Sequence, residues 1–218
     1  MPAAHLYPLP PPVRLVILDL AGTVVDYGSR APLAAFLELF QRHGIELAED
    51  EARGPMGMHK RSHIATLLAL PRIARLWQET TGHTPDAADL DALYQEFQPL
   101  QLELLPRHAD LIPGTLDAVA ELRRLGCRIA ATTGYSREMA DVVLRETARQ
   151  GFAPDVVFTG SEVPEGRPAP WLALACAQAL GIYPLAAALK AGDTVVDVEA
   201  GLNAGMWSIG IAATGNLV

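Results

Sequence analysis

The chain has 218 residues, half of them hydrophobic, with 17 basic and 25 acidic side chains and a formal charge of −8. That length can bury one good core plus a smaller satellite. The negative charge argues against non-specific nucleic-acid binding, and no apolar run approaches the length of a membrane-spanning helix. An anionic ligand would therefore need local positive charge from a metal ion, a few chosen side chains and helix N-termini. Residues 1–12 are rich in proline, with no basic stretch ahead of an apolar one, and read as a flexible arm rather than a signal peptide. Cys127 and Cys176 each stand alone in an apolar segment, as small core residues of a reducing cytoplasm rather than a disulfide or metal site. Only two of the basic residues are lysines, Lys60 and Lys190, so any amine chemistry has two side-chain candidates.

In chain order, the apolar run Arg14-Leu-Val-Ile-Leu-Asp19 ends on an aspartate, and Leu20-Ala21-Gly22-Thr23-Val24-Val25-Asp26 follows. A buried strand that brings a carboxylate to its C-terminal tip before a glycine turn is how an open α/β sheet presents a nucleophile. Residues 31–107 show no convincing strand. Helices are expected over 32–43, where Leu33, Phe36, Leu37 and Phe40 keep helical spacing, and over 59–70, 71–81 and 87–105. From Ile112 helices and strands alternate: helix 115–125, strand 128–132, helix 136–150, strand 155–159, helix 169–180, strand 188–193, helix 198–204 and strand 207–212. Such alternation implies a parallel sheet with right-handed crossovers. The expected fold class is α/β: a Rossmann-like parallel-sheet core (13–26 and 107–218) with an inserted α-helical cap (27–106). Hinges near Tyr27-Gly28 and between Pro106 and Pro113 would let the cap close and exclude water.

Asp19 at one strand tip, with Asp193 and Asp197 after another, suits Mg²⁺, a hard ion that takes oxygen ligands; an aspartate at a strand end can also merely cap the next helix. Thr133 ends a strand, and its hydroxyl with the following backbone N–H groups would cradle a phosphoryl oxygen, unless it is an ordinary helix cap. Lys60 opens a helix in Met56-Gly57-Met58-His59-Lys60-Arg61-Ser62-His63. An unprotonated amine can condense with an aldehyde to form a Schiff base, and His63, one turn further on, could shuttle the protons. The plainer reading of that run is a solvated basic helix face. Lys190 lies inside a strand, where a structural role is expected.

Asp19-x-Ala21-Gly22-Thr23, Val25 to Ser29, Pro55 to Lys60, Thr132-Thr133-Gly134-Tyr135, Pro164 to Pro168 and Gly192-Asp193-x-x-x-Asp197 together resemble the phosphonoacetaldehyde hydrolases (phosphonatases) of the haloacid dehalogenase superfamily. Each motif is weak to moderate alone, but their order and spacing from about Arg14 onward are specific. The resemblance implies that Asp19 attacks phosphorus. It also implies that Asp19, Asp193 and the Ala21 carbonyl bind Mg²⁺, supported by Thr23 and Asp197. Thr133, Gly134, Tyr135 and Arg167 would then hold the phosphoryl group, Lys60 would form the imine with His63 as shuttle, and Met56 would pack against it.

Superfamily phosphotransferases carry a second aspartate where this chain has Ala21. A leaving group that departs as an enamine needs no such acid, so the missing carboxyl and the added amine have one cause. The resemblance further implies cytoplasmic hydrolysis of phosphonoacetaldehyde to acetaldehyde and phosphate by a homodimer joined through the cap. It implies a small-molecule phosphonate as the partner, supplied from 2-aminoethylphosphonate, with no nucleic acid or membrane involved. The alternatives are a generic capped phosphatase acting on phosphate esters and a non-catalytic phosphonate-binding module. Leu20, read as a pocket-wall residue, Ser29, given little weight, and Leu202, at a usually basic position, are the departures within the motifs. The chain also stops earlier than such proteins do, from which an uncovered apolar edge strand and either low solubility or self-association are expected.

Overall fold

The computed structural model describes residues 12–56 and 58–215; the expected N-terminal arm lies almost wholly outside them. Five parallel strands form one sheet: β1 (Leu15–Asp19), β2 (Arg128–Thr133), β3 (Val156–Thr159), β4 (Ala188–Gly192) and β5 (Trp207–Gly210), in the order β3-β2-β1-β4-β5. β1 is central because its apolar residues alternate between two covered faces, as a parallel strand requires. Val16 packs with Ile129, Met139 and Val143 on one face, while Leu15 and Ile17 pack with Ala130, Cys176 and Ala188 on the other. Register sets Asp19 beside Thr132 and Leu18 beside Ala191. The tips of β1, β2 and β4 therefore end together, where chain direction across the sheet reverses and α/β sheets bind ligands.

The helices are α1 (Arg30–Arg42), α2 (Glu49–Arg53), α3 (Lys60–Leu68), α4 (Pro71–Thr81), α5 (Ala87–Leu104), α6 (Thr115–Arg124), α7 (Arg137–Arg149), α8 (Trp171–Ala179) and α9 (Val195–Asn203). α1 to α5 pack around their own cluster, with Phe36, Phe40, Ile64, Leu67, Trp77 and Phe97 buried at its centre. Local chemistry sets the clearest boundaries. Pro71 starts α4, Gly82 ends it in a left-handed conformation, and Asp86 with Asp89 forms a capping box on α5. α1 begins two residues before its expected start because the Asp26 carboxylate accepts from the Arg30 and Ala31 N–H groups at 2.8 and 2.9 Å.

The two chain passages that join these helices to the sheet run side by side. Ile112 N–H donates to Val24 O at 2.8 Å, and Val25 bridges to Leu111. α9 begins at Val195 instead of 198, which brings Asp197 into its first turn. α2 was not expected. Leu20 is fully buried under the sheet rather than in a pocket wall, Leu202 is exposed on α9, and Cys127 and Cys176 are buried free thiols. β5 is an edge strand with Trp207 and Ile209 about half exposed. Among the described residues no helix is long and apolar enough to cross a membrane.

Candidate active site

At the strand tips, carboxylate oxygens of Asp19, Asp193 and Asp197 lie within 4.8 Å of one another. Arg167 Nη1 ties two of them together, donating to Asp19 Oδ1 at 2.7 Å and to Asp197 Oδ1 at 2.5 Å. Asp197, fully buried in the first turn of α9, also accepts from Lys190 Nζ at 2.8 Å and from the Thr194 hydroxyl. Burial alone would raise Asp197, but the Arg167 and Lys190 charges, with the Lys190 and Thr194 hydrogen bonds, hold it well below the usual carboxylate range. Burial, and then the Asp197 charge, push Asp19 up to about 7 against the pull of Arg167 and Lys190. Arg167 loses some favour through burial, yet Asp197 and Asp19 outweigh that and keep its pKa above the ordinary value.

Asp193 sits in a slot between bare backbone segments: a Cβ on Gly22 or on Gly215 would collide with its side chain. Gly22 also adopts φ +81°, which favours glycine in its own right. Three clustered carboxylates of hard oxygen, with the Ala21 backbone beside them, are a donor set that fits a small divalent ion such as Mg²⁺.

These groups face a small cavity of about 50 Å³. Asp19, Ala21, Thr133, Gly134, Tyr135, Arg167 and Asp193 line it from the sheet, and Ser29, Pro32, Met56, Met58 and Lys60 from the cap helices and their connections. Lys60 Nζ lies over the Phe36 ring, 5.6 Å from its centroid. Burial, and after it repulsion from Arg167, push the Lys60 amine down to about 8. Tyr135 is buried, and its phenol is pushed well above the ordinary value by burial and then by the nearby aspartates, so it stays protonated. Thr133 Oγ1 accepts from the Tyr135 N–H at 3.1 Å. Helix α7 is capped by Ser136 instead, so Thr133 is no helix cap, and the Tyr135 N–H is turned onto the Thr133 hydroxyl.

Nine of the twelve residues singled out from sequence thus line one cavity. Asp197 stands behind it as the hub of the ion pairs. Thr23 lies in the turn after β1, its hydroxyl buried without a hydrogen-bond partner. His63 departs from its expected place. Its ring is fully buried, stacked on Phe36 at 3.8 Å between centroids, and it does not reach the cavity wall. Burial and the Lys60 charge push it down to about 3, with only the Ala52 backbone pulling the other way. Sequence spacing put Lys60 and His63 on one helix face, but Phe36 of α1 occupies that face.

Four further residues belong to the site. Lys190 is the second cation on Asp197, and Thr194 its hydroxyl donor. Phe36 underlies Lys60. Ser29 lines the cavity with its hydroxyl 3.5 Å from Asp193 Oδ2. A lysine in the middle of the otherwise apolar strand Ala188–Gly192 was the available signal for the first; nothing local marked Phe36.

Fold and site define a haloacid dehalogenase-like hydrolase, and the model of that family matches residues 13–205. The chain is 45% identical over 205 residues to a phosphonoacetaldehyde hydrolase of Nitratidesulfovibrio vulgaris, covering 94% of this chain and 73% of that protein. It is 46% identical over 204 residues to one of Paraburkholderia phytofirmans, covering 94% and 76%. A crystal structure of a phosphonoacetaldehyde hydrolase-like protein from Oleispira antarctica superimposes with a TM-score of 0.91 at 38% identity, over 95% of this chain and 75% of that one. The chain belongs to the phosphonoacetaldehyde hydrolase family of these enzymes.

Proposed function

We propose that the protein hydrolyses the C–P bond of phosphonoacetaldehyde to acetaldehyde and phosphate, through an imine on Lys60 and a phosphorylated Asp19. The observation that carries this reading is a lysine amine and an aspartate lining one cavity, with Ala21 where an acid for an alkoxide leaving group would stand. With its pKa near 8, Lys60 is unprotonated in roughly one molecule in ten at pH 7, on the order of a hundred times more than an unshifted lysine.

The free amine adds to the aldehyde carbon, and loss of water leaves an iminium. Asp19 attacks phosphorus in line, and the C–P electron pair flows into the iminium to give an enamine. Protonation at carbon and attack of water then release acetaldehyde from Lys60, and water hydrolyses the acyl phosphate. Arg167 fixes the attacking carboxylate and, with the Thr133 hydroxyl, faces the phosphoryl oxygens. Met56 lines the imine pocket. Asp19, Asp193 and the Ala21 carbonyl would hold Mg²⁺, which supplies positive charge to the phosphoryl oxygens; Asp197 and Thr23 support them. His63 belongs to this reading through Phe36, on which both its ring and the Lys60 amine rest. Assembly through the cap and a cytoplasmic setting belong to the same proposal; a groove at Pro55, Met58 and Leu70, rimmed by Asp50 and Glu51, is where a partner cap would dock.

The test is phosphate release from phosphonoacetaldehyde with Mg²⁺, beside Lys60→Arg and a panel of phosphate esters. Release that needs Lys60, with the esters inert, is expected. Ester turnover indifferent to Lys60 would make the protein a capped phosphatase. Binding without turnover on any substrate would make it a binding module.

A further inference from the structure

β4 is otherwise apolar, yet Lys190 stands in its middle, buried and outside the cavity wall. Its stem packs on α9 at Gly201, where an added Cβ would come within 2.8 Å of the lysine Cβ. Its ammonium donates to the neighbouring Ala191 carbonyl at 3.0 Å and to Asp197 Oδ1 at 2.8 Å. An apolar residue would fill a strand interior without the desolvation that a buried amine incurs, so packing does not account for it. The oxygen it meets is the informative detail. Arg167 Nη1 donates to that same Oδ1, and the Thr194 hydroxyl holds Oδ2. Both Asp197 oxygens are therefore engaged, and Arg167 meets the carboxylate through one nitrogen. An arginine and a carboxylate left to themselves favour two parallel N–H···O bonds, and here that arrangement is blocked. The two protons of Nη1 serve Asp19 and Asp197. Nη2 lies against Gly134, 3.1 Å from where a Cβ would stand, with no hydrogen-bond partner among the described residues.

We propose that Lys190 is a positioning residue for the phosphoryl group: by sharing Asp197 Oδ1 it keeps Arg167 end-on, so that Nη2 stays presented to the cavity beside Gly134. The inference rests on the reading of Arg167 as a phosphoryl-facing group. Without the ammonium, Asp197 has Arg167 as its one cation, and its carboxylate turns to take both guanidinium nitrogens. Nη2 then leaves the cavity for Asp197, and the bond to Asp19 loosens as the fork swings round. Lys190 thus acts through Asp197 and Arg167 and touches no ligand itself.

The probe is inorganic phosphate, titrated calorimetrically onto the full-length protein with Mg²⁺. Lys190→Met, close in length and uncharged, should weaken phosphate binding about ten- to a hundredfold. Acetaldehyde should still be trapped on Lys60 by borohydride at the parental rate. In an Asp197→Asn background the same substitution should change phosphate affinity by less than about twofold, because a neutral amide cannot draw the guanidinium into a two-bond pair. A merely structural lysine would lower the unfolding midpoint of Lys190→Met and leave the affinity of the folded protein untouched. That result overturns the inference, as does an equal loss of affinity in both backgrounds. Lys190→Gln, which leaves Asp197 a neutral donor, carries the same comparison should Lys190→Met fail to fold. Arg167→Met binding phosphate as the parent does would overturn the phosphoryl reading of Arg167 and this inference with it.

Discussion

The two walls of the cavity are built on opposite electrostatic plans. On the sheet side every charge is tied: Arg167 spans Asp19 and Asp197, and Lys190 and Thr194 close around Asp197. On the cap side the Lys60 amine has no ion pair or hydrogen bond among the described residues, and rests over Phe36 in an aromatic cluster with Phe97 and His63. The difference separates two needs. A carboxylate that attacks in line must be held in one orientation, which charge-assisted hydrogen bonds supply. An amine that attacks a carbonyl must be able to lose its proton, which a bound carboxylate would prevent and an apolar bed promotes.

The sharpest attempt to break this contrast is Asp19→Asn. Phosphate release should fall by on the order of 10⁴-fold or more, while acetaldehyde still forms its borohydride-trapped adduct on Lys60. Loss of both would show that the walls are not separable. Next in size, Arg167→Met should cost about 3–5 kcal/mol in denaturant unfolding, because it leaves the buried Asp19 carboxylate without its hydrogen-bonded cation and Asp197 with Lys190 as its one remaining cation. Lys60→Met should cost little or add stability, since it removes an unpaired half-buried amine. Equal losses from the two would erase the asymmetry.

A third measurement follows adduct formation with pH. The free amine grows about tenfold per unit up to about pH 8 and then levels off. The same depressed value has a stability sign. Between about 8 and 10.5 the unfolded chain binds more protons than the native one at this residue. Lys60 therefore stabilises the fold fully above 10.5, and that contribution is lost as pH falls through about 8. A plateau displaced above pH 10 would mean that the apolar bed does not tune the amine. The smallest effect is expected from Phe36→Leu, about 1–2 kcal/mol in stability and a few-fold in adduct rate; an unchanged rate would remove Phe36 from the account of Lys60.

Much of this was legible in the chain, for reasons that differ by residue. Asp19, Thr133 and Asp193 were readable because apolar strands end on them, and a parallel sheet gathers such ends at one edge. α4 and α5 were readable to within a residue because Pro71, Gly82 and Asp86 mark their ends chemically. The start of α9 was not, since Val195 and Val196 are β-branched and read as extended chain. That hid the placing of Asp197 in a first turn directly above Lys190. Lys190 therefore looked merely structural, although its partner lies seven residues on. The burial of His63 against Phe36 was hidden for a related reason: spacing along one helix tells which residues share a face, but not what a neighbouring helix lays against it.

The slot around Asp193 binds together two glycines that lie near opposite ends of the chain. Gly22 and Gly215 are both barred from carrying a side chain by Asp193, Gly22 by its carboxylate and Gly215 first of all by its Cβ, so they form one unit of mutational constraint despite their separation. Gly215, free of a left-handed backbone requirement, isolates the steric part. The nearest atom to a Cβ there is Asp193 Cβ at 2.4 Å, so an alanine at 215 should be tolerated far better with Asp193→Gly and little better with Asp193→Ala, making the first pair non-additive in a double-mutant cycle. A position whose importance looks local is thus set by an atom contributed from elsewhere, and the residues after the last strand become as much a part of the site's shape as the turn that follows the first.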